Sequence, residues 1–165
     1  MKPGINVVEH EAIHGMAIRR TVPRADLPRF FSEAYARISD YIDRKGGKVA
    51  GAPFATYYGF GPEMVDVEAG LPAVFDVLEN LPAAEGDIHP VDYPGGEAVE
   101  YVYFGPYDGV DTAYGEIDRW LKEQGKHAEG PPSEVYVSEP QGDPAHWETH
   151  IVQRFDEVTP SGGAG

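Results

Sequence analysis

The chain has 165 residues, of which 41% are hydrophobic and 12% aromatic, a composition typical of a folded globular domain. Its 28 acidic and 13 basic side chains give a formal charge of −15, which disfavours direct nucleic-acid binding and adhesion to anionic membranes. The absence of cysteine excludes disulfides, thiol nucleophiles and cysteine-based zinc sites. No stretch reaches the roughly 18 apolar residues of a membrane span, so we expect a cytoplasmic protein.

An internal repeat organises the sequence. Residues 30–58 align with 109–137 at an offset of 79 without gaps, and seven of the 29 positions are identical. The identical pairs are Ala34/Ala113, Tyr35/Tyr114, Ile38/Ile117, Gly46/Gly125, Gly51/Gly130, Pro53/Pro132 and Tyr57/Tyr136. We therefore predict a single domain over residues 1–158, with pseudo-repeats at about 5–70 and 97–155, a connector at 71–96 and a disordered tail at 159–165.

The first copy predicts a strand at 14–22, a helix, and two further strands at 54–58 and 64–68. Apolar residues recur every three or four positions from Leu27 to Ile42, which indicates a helix with one buried face. Asp26 is placed to cap the amino end of this helix, and Gly46 to end it with a positive φ.

The second copy repeats this order, with strands at 98–104, 134–138 and 147–152. The helical stripe runs from Val110 to Leu121, Asp108 is the expected cap, and Gly125 is the expected terminator. Prolines in the connector disfavour a long helix there. These elements predict an α+β fold of duplicated strand-helix-strand-strand units with pseudo-twofold symmetry. We expect an antiparallel sheet with two helices on one face and a ligand cleft on the other.

Glu134 is the first candidate functional residue. With period two along its strand, Glu134 and Tyr136 share one face, and Val135 and Val137 share the other, which we expect the helix to cover. The repeat places Ala55 opposite Glu134 and Tyr57 opposite Tyr136. An acid among aromatic walls would attract a flat or bulky apolar ligand, particularly a cation. The alternative is a solvated strand glutamate.

Other candidates have equally plain structural interpretations. Tyr35 and Tyr114 lie on the helical stripes and are expected in the core. Asp66 and Glu68 could supply a second carboxylate for acid/base work, or belong to a solvated hairpin. The segment from His146 to His150 is interpreted as an edge strand with Trp147 anchored on the core. The six histidines show no metal-ligand spacing, so we predict neither a metal nor a cofactor.

Several segments together resemble the GyrI-like small-molecule-binding family, which includes effector-binding domains of multidrug-responsive transcription activators and has a SOUL-like fold. These segments are Gly51–Tyr58, Asp66–Pro72, Phe104–Gly109, Pro131–Tyr136 and Trp147–Thr149. The resemblance covers roughly residues 5–155 and implies a ligand cleft between the two halves. It also implies that Glu134, as the acid of the Pro-x-Glu-x-Tyr motif, receives lipophilic cations. The chain departs from many relatives at Ser133 and His150.

We therefore predict a stand-alone binding protein for hydrophobic or cationic aromatic compounds. The predicted ligand-binding residues are Glu134, Tyr136, Tyr57, Ala55, Trp147 and Glu68. One alternative is a cofactor-independent hydrolase of electrophilic or strained-ring toxins that uses Glu134 and Tyr57. Another is a modulator of DNA gyrase that acts by protein contact. The sequence leaves the natural ligand and the oligomeric state open.

Overall fold

The computed structural model describes residues 4–75, 84–139 and 141–157. Their strands are β1 (Gly4–His10), β2 (Ile13–Pro23), β3 (Gly47–Val49), β4 (Phe54–Phe60), β5 (Met64–Phe75), β6 (Ile88–Tyr93), β7 (Gly96–Phe104), β8 (Lys126–Ala128), β9 (Ser133–Tyr136) and β10 (Glu148–Glu157). The helices are α1 (Leu27–Arg44) and α2 (Asp111–Glu123). The tail predicted to be disordered, and Pro82 of the connector, lie outside the described residues.

The chain forms two compact units. The first unit is Glu11–Gly95, and the second unit combines Met1–His10 with Gly96–Gly165. In the first unit the strands are ordered β4-β5-β2-β6, all antiparallel, and β3 pairs with the end of β5. In the second unit the order is β1-β7-β10-β9, again antiparallel, and β8 pairs with the end of β10.

Each unit packs one helix on its sheet through the predicted stripe. On α1 the buried residues are Phe30, Ala34, Ile38, Tyr41 and Ile42, and on α2 they are Ala113, Ile117 and Leu121. The α2 stripe packs against Val99, Ile151 and Phe155 of the second unit's sheet. The α+β class with antiparallel strands and two helices is therefore confirmed.

The helix ends are only partly as predicted. Gly46 and Gly125 follow the two helices with φ of 75° and 66°, as the terminators should. Asp26 occupies the N-cap position of α1, as predicted, but its side chain makes no capping hydrogen bond and pairs with Arg29. The predicted cap at Asp108 is wrong, because Asp108 lies in a 3-10 turn and Val110 occupies the N-cap position of α2.

Two edge strands of the structure were not predicted from the sequence. Strand β1 pairs with β7 in the second unit, and β6 pairs with β2 in the first unit. The segment at 147–152, expected at an edge, belongs to β10, which pairs with both β7 and β9. Both helices of the described chain are too short or too polar to cross a membrane.

Candidate functional site

Glu134 lies at the centre of the candidate site, on β9 of the second unit. Its side chain is buried, with 6% of the residue exposed. The Tyr114 hydroxyl, on α2, donates to Glu134 Oε2 at 2.6 Å, and the Tyr136 hydroxyl donates to Oε1 at 3.0 Å. Each carboxylate oxygen therefore accepts a phenolic hydroxyl, one from the helix and one from the same strand.

The faces of β9 are the reverse of the prediction. Glu134 pairs with Ile151, which packs under α2, and so Glu134 and Tyr136 lie on the helix side of the sheet. Val137, expected beneath the helix, is 46% exposed. Strand parity correctly separates Glu134 from the valines, but it cannot tell which of the two faces the helix covers. The interpretation of Glu134 as a solvated residue is also wrong.

Burial raises the pKa of Glu134 above its ordinary value, because a carboxylate loses hydration when it leaves water. The hydrogen bonds from Tyr114 and Tyr136 act against this effect, since they stabilise the charged form, whereas nearby Asp111 adds to it. The net effect is a raised pKa, so Glu134 keeps its proton to a higher pH than a surface glutamate does.

Aromatic rings adjoin the carboxylate. The Tyr107 ring lies 5.6 Å from the Tyr136 ring and 5.1 Å from the Trp147 ring, measured between centroids. The pKa of Tyr107 is raised by burial and by the charge of Glu134. Of the predicted site residues, the structure thus brings together Glu134, Tyr136 and Trp147, and it adds Tyr107 and Tyr114. We call these five residues the Glu134 site.

Helical spacing predicts that Tyr114 lies in the core, but it does not indicate that the Tyr114 hydroxyl reaches a carboxylate on another element. The repeat contains the missing signal, because Tyr35 and Tyr114 are counterparts and the copies differ at Ala55 and Glu134, close to where these hydroxyls bond. In the first unit, the Tyr35 hydroxyl donates to the backbone oxygen of Phe54 at 2.8 Å, next to Ala55. Where the second unit has Glu134 in place of Ala55, the equivalent hydroxyl bonds the carboxylate.

The first unit holds the remaining predicted site residues. Ala55 and Tyr57 are buried in β4, and the Tyr57 ring contacts that of Phe60 at 5.6 Å. Ala55 pairs with Ala69 and Tyr57 with Val67 across β5. Their contribution to a ligand site remains a prediction.

Glu68 is buried in β5 rather than solvated in a hairpin, with 5% of the residue exposed. Its carboxylate accepts the hydroxyls of Tyr58, at 3.2 Å, and of Tyr93, and it pairs with His89 Nε2 at 2.8 Å. We call these four residues the Glu68 cluster. Because both oxygens of the carboxylate already have partners from β4 and β6, the cluster ties these strands to β5.

Asp66, two residues before Glu68, has a different environment. It forms a two-pronged ion pair with Arg19, with distances of 3.0 and 2.9 Å, at the protein surface. These hydrogen bonds hold the pKa of Asp66 below its ordinary value. Asp66 is thus a surface residue whose carboxylate is held in an ion pair with Arg19.

The segment singled out around His150 forms a third polar group. His150 Nε2 contacts Glu148, and its Nδ1 lies 3.5 Å from the buried Glu100. In β10 these even-numbered positions face away from the side that carries Ile151 and α2. Across the residues that the structure describes, no group of three acidic or histidine side chains is arranged to hold a metal ion.

Solved structures share this fold at low sequence identity. The chain matches EcmrR in a cryo-EM complex with DNA at a TM-score of 0.79 and 21% identity, over 93% of this chain and 57% of that one. It matches the crystal structure of the EcmrR C-terminal domain at 0.74 and 21% identity, covering 96% and 100%. SAV2435 bound to tetraphenylphosphonium matches at 0.61 and 12% identity, with 94% of each chain covered. A hydrolase from Listeria innocua matches at 0.67 and 12% identity, covering 94% and 93%.

No match is found among curated proteins. The family model of the GyrI-like small molecule binding domain matches residues 4–154, which is most of the chain and includes every residue of the Glu134 site and the Glu68 cluster. The resemblance seen in the sequence motifs is thereby confirmed, and the chain belongs to the GyrI-like small-molecule-binding domain family.

Proposed function

We propose that this chain captures bulky hydrophobic or cationic aromatic compounds at Glu134, in the sensing or sequestration of xenobiotics. One observation carries the proposal: Glu134 is buried, yet its partners are neutral hydroxyls. Within residues 4–75, 84–139 and 141–157, no lysine, arginine or histidine forms an ion pair with it. An unpaired buried carboxylate is costly, and a bound cation would relieve that cost.

The surrounding side chains suit an aromatic cation. The rings of Tyr107, Tyr136 and Trp147 offer faces that attract positive charge and apolar surface together. The carboxylate supplies the Coulomb attraction, which is stronger out of water than at a surface. A neutral aromatic compound of equal size would gain only the contact with the rings.

The distribution of charge also supports a cationic ligand. The second unit contains 15 acidic and 5 basic residues, a formal charge of −10, whereas the first unit contains 13 and 8, a charge of −5. The unit that holds Glu134 is therefore the more negative one. Its field would concentrate cations near the site and speed their association at low ionic strength.

The test compares a cation with a neutral compound of similar shape. Titration calorimetry would measure tetraphenylphosphonium, the ligand held by SAV2435, and triphenylphosphine oxide, which carries no net charge. We expect Glu134→Gln to weaken tetraphenylphosphonium at least about tenfold, equivalent to about 1.4 kcal/mol, and triphenylphosphine oxide less than about twofold. Glu97→Gln is the matched control, since Glu97 is exposed in the same unit and its loss changes the formal charge equally. Equal losses for both ligands would refute the charge-based account.

A hydrolase of electrophilic or strained-ring compounds is the second candidate. The raised pKa of Glu134 and the Tyr136 hydroxyl 3.0 Å from it favour acid/base chemistry, with the carboxyl group moving a proton and the phenol orienting water. Incubation with a panel of cyclopropane-containing and electrophilic compounds, followed by mass spectrometry, tests this function. Turnover that Glu134→Gln abolishes would support it, whereas binding without any product would exclude catalysis on that panel.

A further inference from the structure

The turn that presents Tyr107 is built around one hydroxyl group. Tyr103, in β7, donates from its hydroxyl to the backbone oxygen of Pro106 at 2.7 Å. The amide of Gly105 donates to the backbone oxygen of Trp147 at 2.9 Å, and the amide of Gly109 donates to Pro106 at 3.1 Å. The segment from Gly105 to Gly109 is thus attached both to Tyr103 of β7 and to Trp147 of the Glu134 site.

The two glycines of this turn leave room for the hydroxyl. A Cβ atom built on Gly109 would lie 2.1 Å from the Tyr103 oxygen, and one on Gly105 would lie 2.7 Å from it. Gly105 also has a φ of 150°, a backbone conformation that residues other than glycine rarely adopt. The φ of Gly109 lies outside that range, so the Tyr103 hydroxyl rather than backbone strain is what excludes a larger residue there.

The residue fixed by this turn belongs to the Glu134 site. The Tyr107 ring makes an edge contact with Tyr136 and a tilted contact with Trp147. Because 37% of Tyr107 is exposed, contacts within the site hold only part of its ring. We propose that Tyr103 is a positioning residue for ligand binding, because its hydroxyl holds the turn that places the Tyr107 ring beside Glu134. This inference rests on the proposed function of the Glu134 site.

Tyr103→Phe removes only the hydroxyl and is the first test. We expect tetraphenylphosphonium to bind about fivefold more weakly, the loss that one hydrogen bond of about 1 kcal/mol would give if all of it is expressed in binding. Tyr101→Phe is the matched control, since Tyr101 lies two residues earlier in β7 and packs against the same core. The affinity of the Tyr101→Phe variant for tetraphenylphosphonium should change less than about twofold.

A double-mutant cycle tests whether the turn affects binding through the Tyr103 hydroxyl. Gly109→Ala should weaken binding, because its methyl group collides with the hydroxyl. In the Tyr103→Phe background, the nearest remaining atom is the ring Cζ at 3.2 Å, so the same substitution should add little further loss. Additive losses would overturn the inference, since Gly109→Ala would then weaken binding without acting through the Tyr103 hydroxyl.

Ring contacts measured by NMR give a readout that needs no ligand. Nuclear Overhauser contacts between Tyr107 and Trp147 should be present in the native chain and in Tyr101→Phe, and weakened in Tyr103→Phe. Contacts that persist unchanged in Tyr103→Phe would refute the positioning role. If the native chain binds neither test compound, the proposed function fails while these contacts still decide the role of Tyr103.

Discussion

Tyr114→Phe tests how the buried acid is stabilised. The substitution removes the 2.6 Å hydrogen bond to Glu134 and leaves the ring in place. A hydrogen bond to a charged group contributes about 1.5–3 kcal/mol, whereas one between neutral groups contributes about 1 kcal/mol. The cost of the substitution should therefore depend on whether Glu134 is ionised.

The direction of this pH dependence follows from the raised pKa of Glu134. A carboxyl group whose pKa is raised in the folded state contributes its full stabilisation at pH values below its ordinary pKa of 4.5. That contribution is lost as the pH rises through the folded-state pKa. Removal of Tyr114 raises this pKa further, because the charged form loses a donor. The loss of unfolding free energy should be about 1 kcal/mol at pH 4 and should increase toward about 1.5–3 kcal/mol as the pH rises through the folded-state pKa.

Tyr35→Phe is the matched control within the same chain. Tyr35 holds the equivalent position on α1, and its hydroxyl donates to a backbone oxygen, which does not titrate. Its removal should cost about 1 kcal/mol at both pH values. Urea unfolding followed by fluorescence at micromolar concentration measures all three proteins. A Tyr114→Phe cost that is the same at pH 4 and pH 8.5 would refute the account of an ionised Glu134 held by hydroxyl donors.

Three further predictions concern Glu68, Glu134 and DNA. Glu68→Gln should lower the unfolding free energy by about 2–4 kcal/mol, because it weakens three interactions of a buried carboxylate. Asp66→Asn should shift the urea midpoint far less, and equal shifts would contradict a structural role of Glu68. Glu134→Gln should remove the fall in stability that accompanies ionisation of Glu134, so the unfolding free energy of the variant relative to that of the native chain should increase from pH 4 to pH 8.5. A difference that does not change with pH would contradict the raised pKa of Glu134. No mobility shift of duplex DNA is expected at micromolar protein and physiological salt, given the charge of −15; a salt-sensitive shift would overturn this expectation.

The sequence by itself determined the secondary structure around each helix. The apolar stripes of α1 and α2 repeat every three or four residues, and this spacing alone fixes which side of each helix is buried. Glycine at positions 46 and 125 ends each helix because the backbone there has a positive φ. The alternation of β9 likewise separates Glu134 and Tyr136 from the neighbouring valines.

Only the tertiary structure decided what these side chains meet. Alternation has two equivalent solutions, and the packing of α2 on Ile151 selected the face on which Glu134 is buried. The hydroxyl of Tyr114 reaches Glu134 from another element, and the Tyr93 and His89 side chains reach Glu68 from β6, so no local pattern contains these contacts. The Tyr114 contact depends on how α2 packs on the sheet, and the Tyr93 contact depends on how β6 pairs with β2. Glu134, Glu68 and the neighbouring Tyr136 could therefore be named from the sequence, whereas the partners that come from other elements could not.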